Sequence, residues 1–386
     1  MNNLTSLELF SGAGGLALGM SKNGITHKAL VEWNKDAANT LKCNFDEEII
    51  YNIDVKNFDF SKFHNIDIVA GGPPCQPFSL GGKHKGNEDQ RDMFPFACKA
   101  ISVCQPSVFV FENVKGLLRK SFTTYFEYIL LRLTFPCIEI KKAETWVDHL
   151  HRLEKAQTSH SFCGIKYNVV FRLIDAADYG IPQRRERVII VGIREDLDVE
   201  WSFPKQTHAF ESLIWSQFGS GEYWSKYDIK PADISCFDGH SIGTINQMRQ
   251  ANTLFAPPLK PWKTIRDQLH NTPAPDKKGS FHPEHILREG ARTYSGHTGS
   301  FIDLPSKTIK AGGHGVPGGE NMLKTADGKV RYYTTYEAKL LQTFPKDYRI
   351  LGSWTESMRQ IGNAVPVELG KIITKSIITS IWKNNK

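Results

Sequence analysis

Strand-like runs recur at 6–10, 29–32, 66–70, 108–111, 167–174 and 188–193, several of them apolar on consecutive positions, separated by helix-length polar or amphipathic stretches. Uninterrupted runs such as Val108-Phe109-Val110-Phe111 predict strands with both faces covered. Their rhythm predicts an α/β fold with a doubly wound, mainly parallel sheet filling about the first 200 residues. From about 201 to 300 the texture changes. Prolines cluster, tryptophans recur (Trp201, Trp215, Trp224, Trp262) and long periodic segments vanish, which predicts a second, smaller, loop-rich domain. Thr334 and Glu337 then form a capping-box pattern that opens a helix stopping before Pro345. Val367, Ile372, Ile373, Ile377 and Ile381 lie near helical spacing and predict a last helix that returns to the first domain. The expected organisation is one domain made of 1–200 plus 355–386, with 201–354 as a second domain and hinge.

Composition narrows this picture only slightly. The 386 residues are 40% hydrophobic and 23% charged, ordinary for a globular chain and ample for two domains. No apolar run approaches the roughly 18 residues of a spanning helix, and Met1-Asn2-Asn3-Leu4 has no basic segment ahead of an apolar stretch, so a cytoplasmic protein without membrane association is expected. The seven cysteines include no C-x-x-C pair and no zinc-type cluster, which indicates neither a metal nor a disulfide framework. A formal charge of +7 is compatible with a polyanionic partner but does not require one.

Candidate chemistry changes the picture more. In Gly72-Pro73-Pro74-Cys75-Gln76-Pro77-Phe78 a lone thiol sits among prolines directly after an apolar run. Prolines fix φ and stiffen the loop, and strand carboxyl ends are where open α/β sheets bind ligands, so Cys75 reads as a presented nucleophile rather than a packing residue. The turn Phe10-Ser11-Gly12-Ala13-Gly14-Gly15 follows the first strand, and Glu32 comes 20 residues after Gly12, as a carboxylate holding a ribose diol would. Trp33 beside it is placed to stack on an adenine and Asp54 to accept from its exocyclic amine; a core aromatic and a loop carboxylate are the plain alternatives. Glu112 closes the run 108–111 and would face the same sheet edge as Cys75, as a proton or hydrogen-bond donor, or else as a helix N-terminal residue. Gln183-Arg184-Arg185-Glu186-Arg187 would bring guanidiniums to that edge, and Gly81-Gly82-Lys83-His84-Lys85-Gly86 reads as a basic glycine-hinged lid or as a plain surface loop.

Taken in order with Glu112-Asn113-Val114 and Gln360-Ile361-Gly362-Asn363-Ala364-Val365-Pro366, these motifs resemble those of the DNA cytosine-5 methyltransferases, notably the prokaryotic restriction-modification enzymes. The likeness spans nearly the whole chain except about 201–291, the target-recognition part in this family; Pro305-Ser306-Lys307-Thr308-Ile309 and 331–345 resemble its later motifs. It implies a Rossmann-like S-adenosyl-L-methionine-dependent domain that methylates carbon 5 of a flipped-out cytosine in duplex DNA and releases S-adenosyl-L-homocysteine, with no metal. Catalytic roles fall on Cys75, which adds to carbon 6, on Glu112 at ring N3, on Arg185 as partner of the cytosine O2, and on Arg187. No residue is an evident base for the carbon 5 proton, which leaves water for that step. Cofactor contacts fall on Phe10, Gly12, Gly14, Glu32, Trp33, Asp54, Pro74, Asn363, Ala364 and Val365, with Met93 or Phe94 flanking the adenine. DNA contacts fall on Gln76, Ser79, Lys83, Lys85 and Thr308. The resemblance further implies a monomer serving beside a cognate endonuclease without a stable complex. The stretch 136–166 adds polar residues between two motifs and is expected to be a surface insertion. A nicotinamide oxidoreductase would share the glycine turn but has no use for Cys75 paired with Glu112. A catalytically silent relative would not need either residue, and a transfer-RNA methyltransferase would not need so large a recognition segment.

Overall fold

The structure, a computed structural model, describes residues 4–74, 92–159, 162–250, 256–294, 297–312 and 321–383. The chain divides into two compact units, one of 1–174, 186–204 and 370–386, the other of 175–185 and 205–369.

The first unit is built on β1 (Thr5–Leu9), α1 (Gly15–Ser21), β2 (Thr26–Val31), α2 (Lys35–Asn44), β3 (Ile50–Tyr51), β4 (Ile68–Gly71), α3 (Phe94–Cys104), β5 (Val108–Val114), α4 (Thr123–Thr134), α5 (Trp146–Thr158), β6 (Tyr167–Asp175) and β7 (Glu186–Arg194). They form one seven-stranded sheet in the order β3-β2-β1-β4-β5-β7-β6. The pairs among β1 to β5 are parallel, and β7 runs antiparallel to β5. Alternation along β5 explains its packing: Phe109 and Phe111 enter the main core with Phe94, Ala97 and Ile101 of α3 and Phe126, Ile129 and Leu133 of α4. Each such aromatic contributes roughly 1.5–3 kcal/mol by leaving water.

The sheet is mainly parallel, as expected, and the reversal of β7 within it has a functional consequence: a parallel seventh strand would start at the edge opposite the carboxyl ends of β4 and β5, whereas the antiparallel one starts beside them. One expectation changes, that for the stretch 136–166. It contains α5, opened by a Thr145/Asp148 capping box, and Leu150 and Leu153 are buried in the main core, so this segment is structural rather than a surface insertion.

The second unit holds β8 (His208–Ala209), α6 (Phe210–Phe218), α7 (Glu222–Lys226), α8 (Gly239–Gln250), β9 (Lys260–Pro261), α9 (Ile265–Leu269), β10 (Ser300–Phe301), β11 (Met322–Lys324), β12 (Val330–Tyr332), α10 (Thr335–Leu341) and α11 (Trp354–Asn363). Its core joins Phe210, Leu213 and Ile214 of α6 to Trp224, Ile245, Trp262 and Phe301. Two of the tryptophans that mark this region in the sequence thus serve its core. Thr334 and Glu337 make the expected capping box at α10, with Glu337 N–H donating to Thr334 Oγ1 at 3.1 Å and Thr334 N–H to Glu337 Oε2 at 3.0 Å. The last helix, α12 (Val367–Ile378), returns to the first unit from Gly370 onward. There Asn23 Nδ2 donates to Lys371 O and Thr374 Oγ1, and Trp201 Nε1 donates to Ser376 Oγ. Among the described residues no helix is long and apolar enough to cross a membrane.

Candidate active site

At the end of β1 the chain turns abruptly. Phe10 adopts a left-handed φ of 56°, and Gly12 and Gly14 follow at 54° and 77°. A left-handed non-glycine residue costs roughly 1–3 kcal/mol, and such strain concentrates at functional sites. What fixes the turn is Glu32, buried at the end of β2, whose Oε2 accepts from Gly12 N–H at 2.8 Å and whose Oε1 accepts from Asn34 N–H at 2.7 Å. A Cβ at Gly12 would meet nothing within 4 Å, so the turn is bounded by open space on that side. Trp33, next to Glu32, is 72% exposed and is therefore not the core aromatic of the plain alternative. Asp54 accepts from Lys56 N–H and caps a short turn beyond β3. An acidic anchor, an exposed indole and an open glycine turn at one sheet edge fit an adenosine-bearing cofactor. Met93 is partly buried against the core and Phe94 is fully buried, so of these two only Met93 retains a surface for an adenine. Beneath the turn, burial holds the Glu8 carboxyl well above the usual carboxylate range.

Glu112 leaves β5 where β4 ends. The register pairs Gly71 with Phe111, which brings Gly72 alongside Glu112; a Cβ on Gly72 would lie 3.5 Å from Glu112 Oε2. On the other flank Val114 pairs with Arg187, so Arg187 is the diagonal neighbour of Glu112 on the same sheet face, and its Nε lies 2.7 Å from Glu112 Oε1. Both side chains are almost fully buried. The reversed β7 is what allows this ion pair, since only its first residues reach the carboxyl end of β5.

Cys75, Gln76, Ser79, Lys83 and Lys85 lie outside the described residues. The stem that leads into them is fixed: Asn113 Nδ2 donates to Pro73 O at 3.0 Å, and Met93 N–H donates to the carbonyl of the exposed Pro74 at 3.3 Å. Residues 74 and 93 are thereby held together, with Asp92 accepting from the Tyr125 hydroxyl and from Phe94 N–H. Asn113 and Asp92 are positioning residues that sequence reasoning missed. For Asn113 the signal was present, an amide directly after the candidate acid; for Asp92 nothing marked it.

In the second unit, Arg185 is 1% exposed, with Nη1 donating to Ile309 O at 3.2 Å and Nη2 to Gly362 O at 2.7 Å. Thr308 Oγ1 donates to Arg184 O. Asn363 is exposed at the end of α11, and Ala364 and Val365 behind it are buried. Among the described residues no cluster of His, Cys, Asp or Glu is arranged to hold a metal ion.

A mainly parallel sheet with β7 reversed against β5, a strained glycine turn held by a buried acid, and a second carboxyl beside a proline stem fit a Rossmann-like methyltransferase. A family model for C-5 cytosine-specific DNA methylases matches residues 4–135 and 144–379, and the chain belongs to that family. It is 27% identical over 381 residues to the Type II methyltransferase M.NgoMIV of Neisseria gonorrhoeae, covering 99% of each chain. It is 31% identical over 373 residues to M.NgoFVII of the same organism, covering 95% of this chain and 85% of that one. Among solved structures, a DNMT2 mutant of Spodoptera frugiperda superposes with a TM-score of 0.55 at 16% identity, covering 97% of this chain and 99% of that one, a likeness of fold.

Proposed function

We propose that this methyltransferase acts on carbon 5 of a cytosine flipped out of duplex DNA, through a transient bond between the Cys75 sulfur and carbon 6, and that it protects DNA in a Type II restriction-modification system beside a cognate endonuclease. The observation that carries the reading is Glu112, a buried carboxyl 2.7 Å from Arg187 and flush with the Gly72-Pro73-Pro74 stem. Carbon 5 of cytosine is a poor nucleophile. Addition of the Cys75 thiolate to carbon 6, with Glu112 donating to N3, moves electron density onto carbon 5. S-adenosyl-L-methionine, when bound, supplies the methyl group that carbon 5 captures. Loss of the carbon 5 proton to water then expels Cys75 as the thiolate, and return of the N3 proton to Glu112 restores the ring and frees the enzyme. Arg187 holds Glu112, and in this reading it, rather than Arg185, is the arginine at the reaction edge. A base inside a helix exposes carbon 6 to no protein nucleophile, hence the flipping.

Phe10, Gly12, Gly14, Glu32, Trp33, Asp54 and Pro74 hold the cofactor in this reading, and the family resemblance adds Asn363, Ala364 and Val365. The second unit carries target recognition, and Thr308, Gln76, Ser79, Lys83 and Lys85 contact DNA. Mapping 5-methylcytosine across the DNA of a host that expresses the chain is expected to reveal one recurring sequence context; unmodified DNA, or modification confined to transfer RNA, would sink the proposal. Glu32→Ala is expected to weaken S-adenosyl-L-homocysteine binding by about tenfold or more, about 1.4 kcal/mol for each factor of ten, because it releases Gly12 and Asn34 together. Titration calorimetry reads this directly, and an unchanged dissociation constant would remove Glu32 from the cofactor site.

A further inference from the structure

We propose that Arg185 is a positioning residue that locks the Asn363-Ala364-Val365 segment into its cofactor-binding shape and does not touch the target base. This rests on the reading of that segment given above.

Three stretches far apart in sequence meet around this side chain, all within the second unit. The first, 182–185, lies strand-like against 306–309: Ser306 N–H donates to Pro182 O, Arg184 N–H to Ser306 O, and Ile309 N–H to Gln183 Oε1. The third is the end of α11. Arg185 crosses from the first stretch to both others, giving one guanidinium nitrogen to Ile309 O and another to Gly362 O. Charge-assisted bonds of this kind are about twice as strong as neutral ones, and burial removes water as a competitor.

The neighbours of Gly362 are arranged for the same purpose. A Cβ at Gly362 would fall 2.4 Å from Ala311 N, so only glycine lets the end of α11 press this closely on the strip that follows Ile309. Gln342 Nε2 donates to Ile361 O at 2.8 Å and to Ala364 O at 3.4 Å, and Val367 N–H donates to Gln342 O. The carbonyls of 361, 362 and 364 are thus held by side chains of two residues, Arg185 and Gln342. Asn363, between them, keeps its side chain exposed. An arginine 1% exposed and spent on two carbonyls is built to hold backbone, whereas one that reads a base must present its fork to solvent before the base arrives.

The two roles predict opposite kinetics. With the full-length chain, duplex DNA carrying the mapped site, and S-adenosyl-L-homocysteine as the binding probe, Arg185→Lys and Gln342→Ala are each expected to raise the probe's Kd and the KM for the methyl donor by about tenfold, with kcat at saturating donor changed less than about threefold. Amide hydrogen exchange should rise at 361–365 and stay at wild-type levels in the rest of the second unit. An unchanged Kd together with a kcat lowered by about a hundredfold would overturn the proposal in favour of a base contact. Global unfolding of the charge-conserving Arg185→Lys would overturn it too, because the residue would then support the whole unit rather than one segment. If the wild-type chain methylates no cytosine, the functional reading fails, while the Kd and exchange results still decide the role of Arg185.

Discussion

Glu112→Gln is expected to slow methyl transfer in a single turnover by about 10²–10⁴-fold, the usual contribution of a positioned proton donor. The amide keeps the size of the side chain and one acceptor oxygen but has no proton to give at the acidity required, so N3 of the base cannot be charged as carbon 6 is attacked. Binding of DNA and of S-adenosyl-L-homocysteine should persist, because neither the glycine turn nor the proline stem depends on the Glu112 charge; the stem is held by Asn113 and Met93. Stability should fall as well. Glu112 and Arg187 form a nearly buried ion pair at 2.7 Å, and removing one partner of such a pair costs about 3 kcal/mol because the other charge stays buried. Rates per folded molecule, measured below the melting transition, separate the two effects. A single-turnover rate equal to that of the wild type would take Glu112 out of the mechanism.

The strands were legible in the sequence because burial on both faces demands unbroken apolar runs, and Val108-Phe109-Val110-Phe111 is such a run. The capping box at Thr334 and Glu337 was legible because it is local, depending on two side chains three positions apart. The direction of β7 was not. Strand direction is decided by how a connection travels through space, and the apolar pattern of 188–193 reads the same in either sense. That one bit of topology decides which arginine meets Glu112. From the resemblance alone Arg185 was the expected partner of the base, and the antiparallel register with Val114 opposite Arg187 puts Arg187 instead beside Glu112.

The tryptophans show a second kind of limit. Their recurrence after residue 200 correctly marks a change of domain, yet Trp224 and Trp262 are core residues, and Trp262 Nε1 is committed to Asp178 Oδ1 at 3.0 Å. Composition reports that aromatic area is available and is silent on which of it faces a partner. Trp33 is the reverse case, an indole that any hydrophobicity rule would bury and that stands 72% exposed at the sheet edge. A large apolar side chain left in water beside a buried acid is the stronger functional signal, and it needs coordinates to be seen.

Cys75→Ser is expected to abolish methyl transfer, a loss of about 10⁴-fold or more and so at least about 5 kcal/mol of transition-state stabilisation, while leaving duplex binding within a few-fold of the wild type. A serine hydroxyl in place of the thiol ionises far less readily and adds poorly to carbon 6, yet it fills nearly the same space. Cys75 itself lies outside the described residues, beyond a stem that is held at both prolines. Pro73 is tied to Asn113 and Pro74 to Met93, and Gly72 at the root of the stem lies beside Glu112. Fluorine at carbon 5 offers the sharper test. With a carbon–fluorine bond in place of carbon–hydrogen, no proton can leave after the methyl group arrives, the elimination that expels the sulfur is blocked, and the chain should stay bonded to the oligonucleotide through denaturation. The conjugate should form with the wild type in the presence of methyl donor, should be absent for Cys75→Ser, and should form more slowly for Glu112→Gln. If the wild-type chain yields none while methylating ordinary cytosine at a normal rate, the attack on carbon 6 is not made by this sulfur.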